Sequence, residues 1–494
     1  QHDWAEPDLL LMADEELVEN AEGAVFRLCQ MQKGPSPVLR PTEIWEGGDG
    51  KRQRPFQQDP ISGDVLYDAH EKRFHCWYRT HNRLLHDAAD PAIGDDHNTR
   101  SFKTQGSVVC YASSEDGLHW EKPSLGAVKF DGSYENNMVE VSVGPILSDH
   151  LSGVAPNYLE DARSKLVGTV YSSYHHPIYS KGITQIYSDN GIDWNAHWPP
   201  TLPLDGDAHC LMWNSREGCY LCTTRSHAYA HTLGRLRQRG YEELVSKRQV
   251  SLAKSTDLVH WTPMVPILEA DEKDGDNAQL YYMYIVPYGH LYLGFVQVFY
   301  IGHRWTYGPL EMQLAVSRDL MDWHRAGNRV PILPRGEKGS WDQSHVSLCT
   351  SMPHPEGDHI RFWYGGKDSE HWQAGNAAMG TATLRRDGFA CWEAGSAGGT
   401  ITTRPMNMSW ASWPMLNVDA GKGEARLELL DAEDRPIDGC SAEDCFPITG
   451  DHIRKIVEYK EGRGTFVRHT GPVKLRVHLK NAKLYAIKMP NVAF

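Results

Sequence analysis

The sequence has no excess of positive charge and no long apolar run. Across 494 residues, 64 Asp and Glu outnumber 50 Lys and Arg, so the formal net charge is -14, which excludes a globally basic nucleic-acid-binding protein. No uninterrupted apolar stretch approaches the roughly 20 residues that a membrane-spanning helix needs. The first residues also lack the basic region and apolar core of an export signal. We therefore expect a soluble protein with no nucleic-acid partner and no membrane span, secreted or periplasmic after removal of its signal peptide.

The signatures of several enzyme classes are missing as well. The sequence has no Ser-His-Asp order, Walker loop, dinucleotide fingerprint or His-Glu-x-x-His motif, so peptidase, kinase and oxidoreductase functions have no support. Polar aromatic residues are abundant instead, with 16 Trp, 22 Tyr and 25 His against 12 Phe. A ring with a polar tip suits a sugar-binding surface, because its face stacks on the sugar and its tip bonds hydroxyl groups.

A short motif recurs along the chain. Its copies read SEDGLHW, SDNGIDW, STDLVHW and SRDLMDW, with a looser RRDGFACW, and they end at Trp120, Trp194, Trp261, Trp323 and Trp392. Each copy follows a β-like run, so it predicts a tight turn in which Ser and Asp side chains accept backbone amides. Two further strand candidates, joined by a hairpin, lie upstream of each copy. Four strands per period of about 60 to 75 residues are typical of a propeller blade.

These five periods predict an all-β protein, a five-bladed β-propeller with a C-terminal β-sandwich. Residues 46–398 would form the propeller and carry catalysis. Residues 399–494 alternate as half-buried antiparallel strands do and would form the sandwich. Residues 1–45 are expected to pack on the propeller and the sandwich.

Four carboxylates precede predicted innermost strands. They are Asp59, Asp207, Asp276 and Asp342. Innermost strands begin at the face of the central funnel, so these acids would converge there and are our candidate catalytic residues. Glycoside hydrolysis needs one ionised carboxylate and one whose raised pKa lets it protonate the leaving oxygen. For any single Asp, a structural role as an acceptor of backbone amides is the alternative. The Asp residues of the repeated turn fall on the opposite face, which predicts a structural role for them.

The loops between the second and third strands carry a second set of candidates. Each contains at least one His, and four contain Arg or Lys. The candidate substrate-binding residues are Arg79, His81, Arg83, His175, His176, Arg225, His227, His303, Arg304, Lys367 and His371. On an acidic protein, this rim predicts attraction of anionic sugars that carry carboxylate or sulfate groups. The same residue types suit a β-elimination, in which Arg neutralises a uronate, His removes the C5 proton and Tyr protonates the leaving group.

The motifs resemble those of a known superfamily. The repeated turn is similar to that of the five-bladed propeller glycoside hydrolases, which include arabinanases, levansucrases and invertases of families 32 and 43. Residues 110–126, 315–325 and 339–343 look most like environmental bacterial family 32-like proteins. The resemblance implies a catalytic propeller with an appended sandwich, and it matches Asp59 to the family nucleophile or base. The invertase motifs of blades 2 and 3 are missing, so fructan or arabinan specificity does not follow.

Three functions stay open from the sequence. The first is an exo-acting glycoside hydrolase on an anionic polysaccharide or its oligosaccharides. The second is a polysaccharide lyase that acts on a uronate-containing glycan, and the third is a non-catalytic glycan-binding propeller. No cofactor is required by any of them, and a metal ion in the funnel, bound by Asp and His, is left open.

Overall fold

A computed structural model describes residues 2–48, 61–81, 107–142, 148–158, 164–172, 182–197, 200–203, 208–228, 247–302, 307–460 and 464–493. More than half of these residues lie in β-strands and very few in helices, so the predicted all-β class is confirmed. The described helices are single 3-10 turns at Glu15–Leu17, Glu272–Asp274 and Gly327–Arg329. Within these ranges, no helix is long and apolar enough to cross a membrane.

Antiparallel units follow one another along the first part of the chain. The N-terminal strands are β1 (Leu9–Leu11), β2 (Val18–Glu22), β3 (Ala24–Leu28) and β4 (Gln32–Lys33). The first unit contains β5 (Ser62–Asp68), β6 (Arg73–His81) and β7 (Ser107–Ser114). The second contains β8 (Glu140–Ser142), β9 (Ser148–Pro156), β10 (Leu166–Ser172), β11 (Gly182–Ser188), β12 (Asp193–Ala196) and β13 (Leu202–Pro203).

Three further units have the same up-and-down order. The third contains β14 (His209–Asn214), β15 (Cys219–Ala228), β16 (Lys247–Ser255) and β17 (Val265–Leu268). The fourth contains β18 (Ala278–Tyr288), β19 (Leu291–Tyr300), β20 (Leu310–Ser317), β21 (His324–Arg325) and β22 (Pro331–Leu333). The fifth contains β23 (His345–Leu348), β24 (His354–Glu356), β25 (His359–Lys367) and β26 (Ala377–Arg385).

The C-terminal strands form a small two-stranded sheet and a larger one that includes three N-terminal strands. They are β27 (Ala390–Ala394), β28 (Gly399–Thr403), β29 (Met406–Met408), β30 (Ala411–Ser412), β31 (Met415–Leu430), β32 (Ile448–Ile456), β33 (Val467–Arg468), β34 (Gly471–Lys480), β35 (Ala482–Lys488) and β36 (Val492–Ala493). The strand order of the main sheet is β2-β28-β34-β31-β35-β27-β3, and β1 pairs with β35. The first and last parts of the chain therefore share one sheet and one apolar core.

The first strands of successive units contact one another. We call β5, β9, β14, β18 and β23 the inner strands, because β5 contacts β9, β9 contacts β14 and β14 contacts β18. The hydroxyl of Tyr282 on β18 donates to the carbonyl of Leu348 on β23 at 3.2 Å. The fifth unit returns to the first, since the N–H of Thr350 donates to the carbonyl of Gly63 at 3.2 Å. These contacts bring the two ends of the repeat together.

The repeated turns close as the sequence predicts. In the first turn, Asp116 Oδ1 accepts the N–H groups of Leu118 and His119, both at 2.8 Å, and these bonds hold the pKa of Asp116 well below its usual range. Asp257 and Asp319 accept the equivalent amides. The central residue has a positive φ, 72° at Gly117 in the first turn. The predicted structural role of these Asp residues is confirmed.

The fifth, looser copy of the motif does not form this turn. Its positive φ falls on Asp387, whose carboxylate accepts a hydrogen bond from Tyr288 at 2.9 Å and pairs with Arg454. Trp392 lies on β27, which pairs with β3 and β35. The outer partner of β26 is instead β4, with Lys33 opposite Ala382. A strand from the start of the chain thus completes the last unit. A repeat read along the sequence cannot predict this pairing, because the two strands lie far apart in the chain.

Strand pairing also crosses the predicted boundary at residue 398. β27 precedes that boundary but belongs to the sheet of the C-terminal strands. The blade count, the sandwich and the division of the chain into three segments stay predictions.

Candidate functional site

The predicted site residues that the structure describes belong to one end of the units. There the inner strands begin and the second strands end, as at Ala278 and Tyr300, which lie opposite each other in the fourth unit. Antiparallel pairing places the ends of β15, β19 and β25 beside the starts of β16, β18 and β23. We call this end the site face.

Several candidates lie outside the described residues. These are Asp59, Arg83, His175, His176, Asp207, His303 and Arg304. His81 and His227 are placed by their backbone, at the end of β6 and near the end of β15. The roles assigned to these nine residues stay predictions.

Asp276 is an exposed acid of the site face. It lies two residues before Ala278, after a 3-10 turn that Asp271 caps by accepting the N–H of Lys273 at 2.8 Å. Gly275, with a φ of 82°, reverses the chain into β18. The local fold therefore presents Asp276 to solvent where the inner strand begins, and its catalytic role stays a prediction.

Asp342 was also expected among the catalytic acids, and in the structure it is buried and paired. It is 2% exposed. Lys33 Nζ lies 2.5 Å from one of its oxygens, and Tyr364 donates to the same oxygen at 3.0 Å. Ser340 donates to the other oxygen at 2.9 Å. Because Lys33 lies on the outer strand β4, the pair fastens the edge of the fifth unit, and the catalytic role of Asp342 stays a prediction.

A group of cationic and aromatic side chains meets at the site face. The guanidinium carbon of Arg225 lies 4.8 Å from the ring centre of Tyr281, and that of Arg248 lies 5.8 Å from it. The hydroxyl of Tyr281 is 3.3 Å from Nε2 of His371. The His371 ring also lies 5.3 Å from that of Phe299. We call these five residues the Tyr281 cluster, and it brings together the third, fourth and fifth units.

Buried polar side chains contact the cluster and hold it in place. Arg248 donates to Gln279 Oε1 at 2.8 Å, which fixes its guanidinium group. The ring of His345, at the start of β23, lies 6.2 Å from that of His371, and its Nε2 is 3.2 Å from the side-chain nitrogen of Gln297. All these supporting residues are buried. The cluster is therefore held in one arrangement by neighbouring strands.

Trp372 extends the cluster toward solvent. Its side chain is 55% exposed, and its ring centre lies 6.4 Å from that of His371. Its φ is 63°, a left-handed conformation that is unusual for a bulky residue and that commonly marks a functional site. The backbone thus holds an exposed indole beside the cluster.

Two predicted rim cations are buried instead. Lys367 is fully buried, and its Nζ donates to the carbonyl of Gln373 at 2.8 Å. It therefore braces the loop that carries His371. Arg79, on β6, is 8% exposed, about as buried as Arg248 and His371 of the Tyr281 cluster, at 6% and 3%. The substrate-binding roles of Lys367 and Arg79 stay predictions.

The sequence interpretation missed most of the Tyr281 cluster. Arg248, Tyr281, Phe299 and the supporting His345 lie inside strands, whereas the search was confined to loops. Tyr281 stands in the run LYYMYIV, which looks like core. Arg248 contacts both Gln279 and Tyr281, but the register of β18 shifts between Leu280 and Tyr282, so strict alternation along the strand does not predict this shared face.

An unexpected acid lies among the inner strands. Asp64, on β5, is 1% exposed and accepts the N–H of Gly153 at 3.0 Å and the hydroxyl of Thr350. It thereby joins the first, second and fifth units. Burial raises the pKa of Asp64 to about 7, since a charge is disfavoured away from water.

A metal site is not formed by the described part of the chain. There, no group of three or more His, Cys, Asp or Glu side chains is placed to hold a metal ion. The funnel metal stays a prediction, which depends on residues outside these ranges.

No protein-family model and no curated protein matches the chain. Solved structures that resemble it include one named glycoside hydrolase, 12% identical, which covers 71% of this chain and 92% of its own, with a TM-score of 0.45. A β-1,2-mannobiose phosphorylase from Listeria innocua is 12% identical and covers 72% of this chain and 96% of its own, with a TM-score of 0.45. A glycosyl hydrolase from Bacteroides ovatus is 14% identical, with coverages of 72% and 94% and a TM-score of 0.42. By name, the proteins to which this chain is similar are two glycoside hydrolases and a phosphorylase.

Proposed function

We propose that the protein is a carbohydrate-active enzyme, an exo-acting glycoside hydrolase whose substrate is an anionic polysaccharide or its oligosaccharides, with uronate or sulfate groups. The observation that carries this proposal is the Tyr281 cluster. It places two guanidinium groups on one aromatic ring at the site face of a protein with a net charge of -14.

Arginine and aromatic side chains together suit an anionic sugar. A guanidinium group donates two parallel hydrogen bonds to a carboxylate or sulfate, and stacking on an aromatic ring fixes its plane. The exposed indole of Trp372 supplies a face on which a pyranose can stack. The cluster therefore favours recognition of both the charge and the ring of one sugar unit. A narrow central pocket, as five blades would leave, favours cleavage at a chain end.

In this proposal the chemistry belongs to carboxylates near the cluster. Asp276 is the described acid, and Asp59 and Asp207 are its predicted partners. One protonated carboxyl donates its proton to the glycosidic oxygen as the bond to C1 breaks. An ionised carboxylate attacks C1 or deprotonates the water that does. Arg225 and Arg248 would neutralise the substrate anion, so that it approaches the acids without repulsion.

One contact favours a second candidate, a polysaccharide lyase. Tyr281 and His371 lie 3.3 Å apart, with Arg225 over the same ring. Arginine would neutralise a uronate carboxylate, and His371 would take the C5 proton. The electrons of that bond form the C4–C5 double bond as the C4–oxygen bond breaks, and Tyr281 protonates the leaving oxygen.

Product analysis separates the candidates. The purified protein is incubated with uronate-containing and sulfated oligosaccharides and with neutral galactan, arabinan and fructan. New reducing ends without new ultraviolet absorbance support the hydrolase, whereas absorbance from a conjugated unsaturated uronate supports the lyase. Binding of a glycan without either signal supports the third function, a non-catalytic glycan-binding propeller. Equal turnover of neutral glycans, with no effect of salt, contradicts the anionic substrate.

A further inference from the structure

An exposed aromatic row crosses the sheet of the C-terminal strands, far along the chain from the Tyr281 cluster. It consists of Phe446, Trp413 and Phe466, which are 48%, 37% and 53% exposed. Trp413 and Phe466 have ring centres 5.6 Å apart. Exposed large aromatic side chains in one contiguous patch mark an interaction surface.

The strand register aligns the three rings. Ala411 lies opposite Arg468 and Ser412 opposite Val467, which places Trp413 opposite Phe466. On the other side, Met415 lies opposite Ile456, which places Trp413 opposite Glu458. The N–H of Phe446 donates to the carbonyl of Glu458 at 2.9 Å. The order across the sheet is therefore Phe446, Glu458, Trp413, Phe466.

Burial shows that the row lies on the outer face. Val457 and Tyr459, which flank Glu458, are buried, as is Val467 next to Phe466. Successive residues of a strand point to opposite faces, so Glu458 and the rings point outward. Adjacent strands lie about 4.8 Å apart, which makes the row about 14 Å long.

The area and charges of the row fit a sugar chain better than a second copy of the protein. Three rings, each about half exposed, offer roughly 300 Å². A stable protein interface buries about 800 Å² on each partner. The exposed Arg468 and Lys460 alternate with Phe466 and Glu458 on the same outer face, so donors for an anion stand beside the rings. Pyranose faces stack on such rings while charged groups bond their substituents.

We propose that the aromatic row is a second glycan-binding site, which holds an anionic polysaccharide chain away from the catalytic face. This proposal rests on the proposed function only for the class of glycan. The position, register and exposure of the row are observed independently of the Tyr281 cluster.

Affinity electrophoresis and calorimetry on uronate-containing and sulfated polysaccharides test the site. Trp413→Ala and Phe466→Ala should each weaken binding about tenfold, and Trp413→Phe should retain most of it. Tyr134→Ala, at an aromatic residue 52% exposed outside the row, is the matched control and should bind as the parent does. Turnover of short oligosaccharides should not change in any of these variants. Far-UV circular dichroism checks that each variant is folded.

Each remaining outcome has a definite meaning. Unchanged polysaccharide binding in folded Trp413→Ala and Phe466→Ala overturns the site. A change from dimer to monomer in these variants, seen by light scattering, identifies the row as a self-interface and also overturns it. If no anionic glycan is cleaved but binding still depends on the row, the second site stands and the proposed catalytic function fails.

Discussion

The two ends of the units differ in how closely their side-chain contacts are repeated from one unit to the next. At the turn end, Asp116, Asp257 and Asp319 accept the same two backbone amides at 2.7 to 2.9 Å, and Asn190 does so in the second unit. At the site face, Asp276 and Asp342 occupy similar places in the sequence of their units but have different surroundings. One is exposed, and the other is paired with Lys33.

This difference separates residues that serve the fold from residues available for chemistry. A turn must satisfy the same backbone groups in every unit, so its side chains repeat. A binding site needs one cluster, which is built here from unlike residues of three units. Repetition therefore indicates a structural role, whereas at the site face the role of each residue depends on its own contacts.

The sharpest test of the comparison is Asp276→Asn. The variant keeps the shape of the side chain and removes its charge, and we expect the rate of glycan cleavage to fall about 10²–10⁴-fold with stability unchanged. Asp319→Asn, at the turn end, is the matched control and should retain full activity. Initial rates and thermal unfolding measure both quantities. Full activity in Asp276→Asn would remove this acid from the mechanism.

Asp64 makes stability depend on pH in the direction opposite to an ion-paired acid. Its folded pKa of about 7 lies above the unfolded value, so the folded state holds a proton that the unfolded state releases. The contribution of Asp64 to the free energy of unfolding should be largest below pH 4 and fall as pH rises to about 7, by up to about 4 kcal/mol. Asp64→Asn should remove this contribution. Denaturant unfolding from pH 4 to 8 checks it, and identical pH profiles for the two proteins would contradict it.

Asp342→Asn should affect stability rather than chemistry. Substitution leaves the Lys33 ammonium group half-buried without its anion, which costs about 3 kcal/mol. The double variant Lys33→Met/Asp342→Leu should recover much of this loss, because no charge is then left unpaired. Unfolding free energies of the three proteins give the answer. A lower catalytic rate with normal stability in Asp342→Asn would instead support a catalytic role for Asp342.

Loss of a guanidinium group should weaken substrate binding. We expect Arg225→Gln and Arg248→Gln each to raise KM for charged oligosaccharides about tenfold or more, with a smaller effect on kcat. Arg248 is buried and Arg225 is partly exposed. Salt screens their attraction for an approaching anion over about 8–10 Å at physiological ionic strength, so the parent should also lose affinity as salt rises. Lys129→Gln, at an exposed lysine outside the cluster, is the control. A KM unaffected by both salt and these substitutions would argue for a neutral sugar.

The smallest expected effect lies at the turn end. Asp319→Ala removes the acceptor of two backbone amides and should lower stability by about 1 kcal/mol. Asp319→Asn should cost less, because Asn190 already serves the second turn. Thermal unfolding distinguishes the two variants. Equal losses would show that charge, rather than the acceptor oxygen, stabilises the turn.

A contact could be predicted from the sequence when its two residues lie close together along the chain. The Ser and Asp of each turn bond amides two or three residues away, so a seven-residue motif contains the whole interaction. The pair Lys33–Asp342 joins residues 309 apart in sequence, and the motif around Asp342 holds no sign of its partner. The Tyr281 cluster assembles only when the ends of three units meet. Its members were therefore found in part, through Arg225 and His371, because both fall in sequence stretches that were predicted to be loops, although Arg225 lies on β15.

The pairing of β4 with β26 also has a consequence for biosynthesis. Lys33 leaves the ribosome about 350 residues before Ala382, its partner in the sheet. At 5–20 residues per second, the early strand waits roughly 20–70 s for the last unit. During that interval its edge is open to chaperones and to other nascent chains. The fifth unit must therefore be synthesised before it obtains its outer strand, which comes from a segment made about 350 residues earlier.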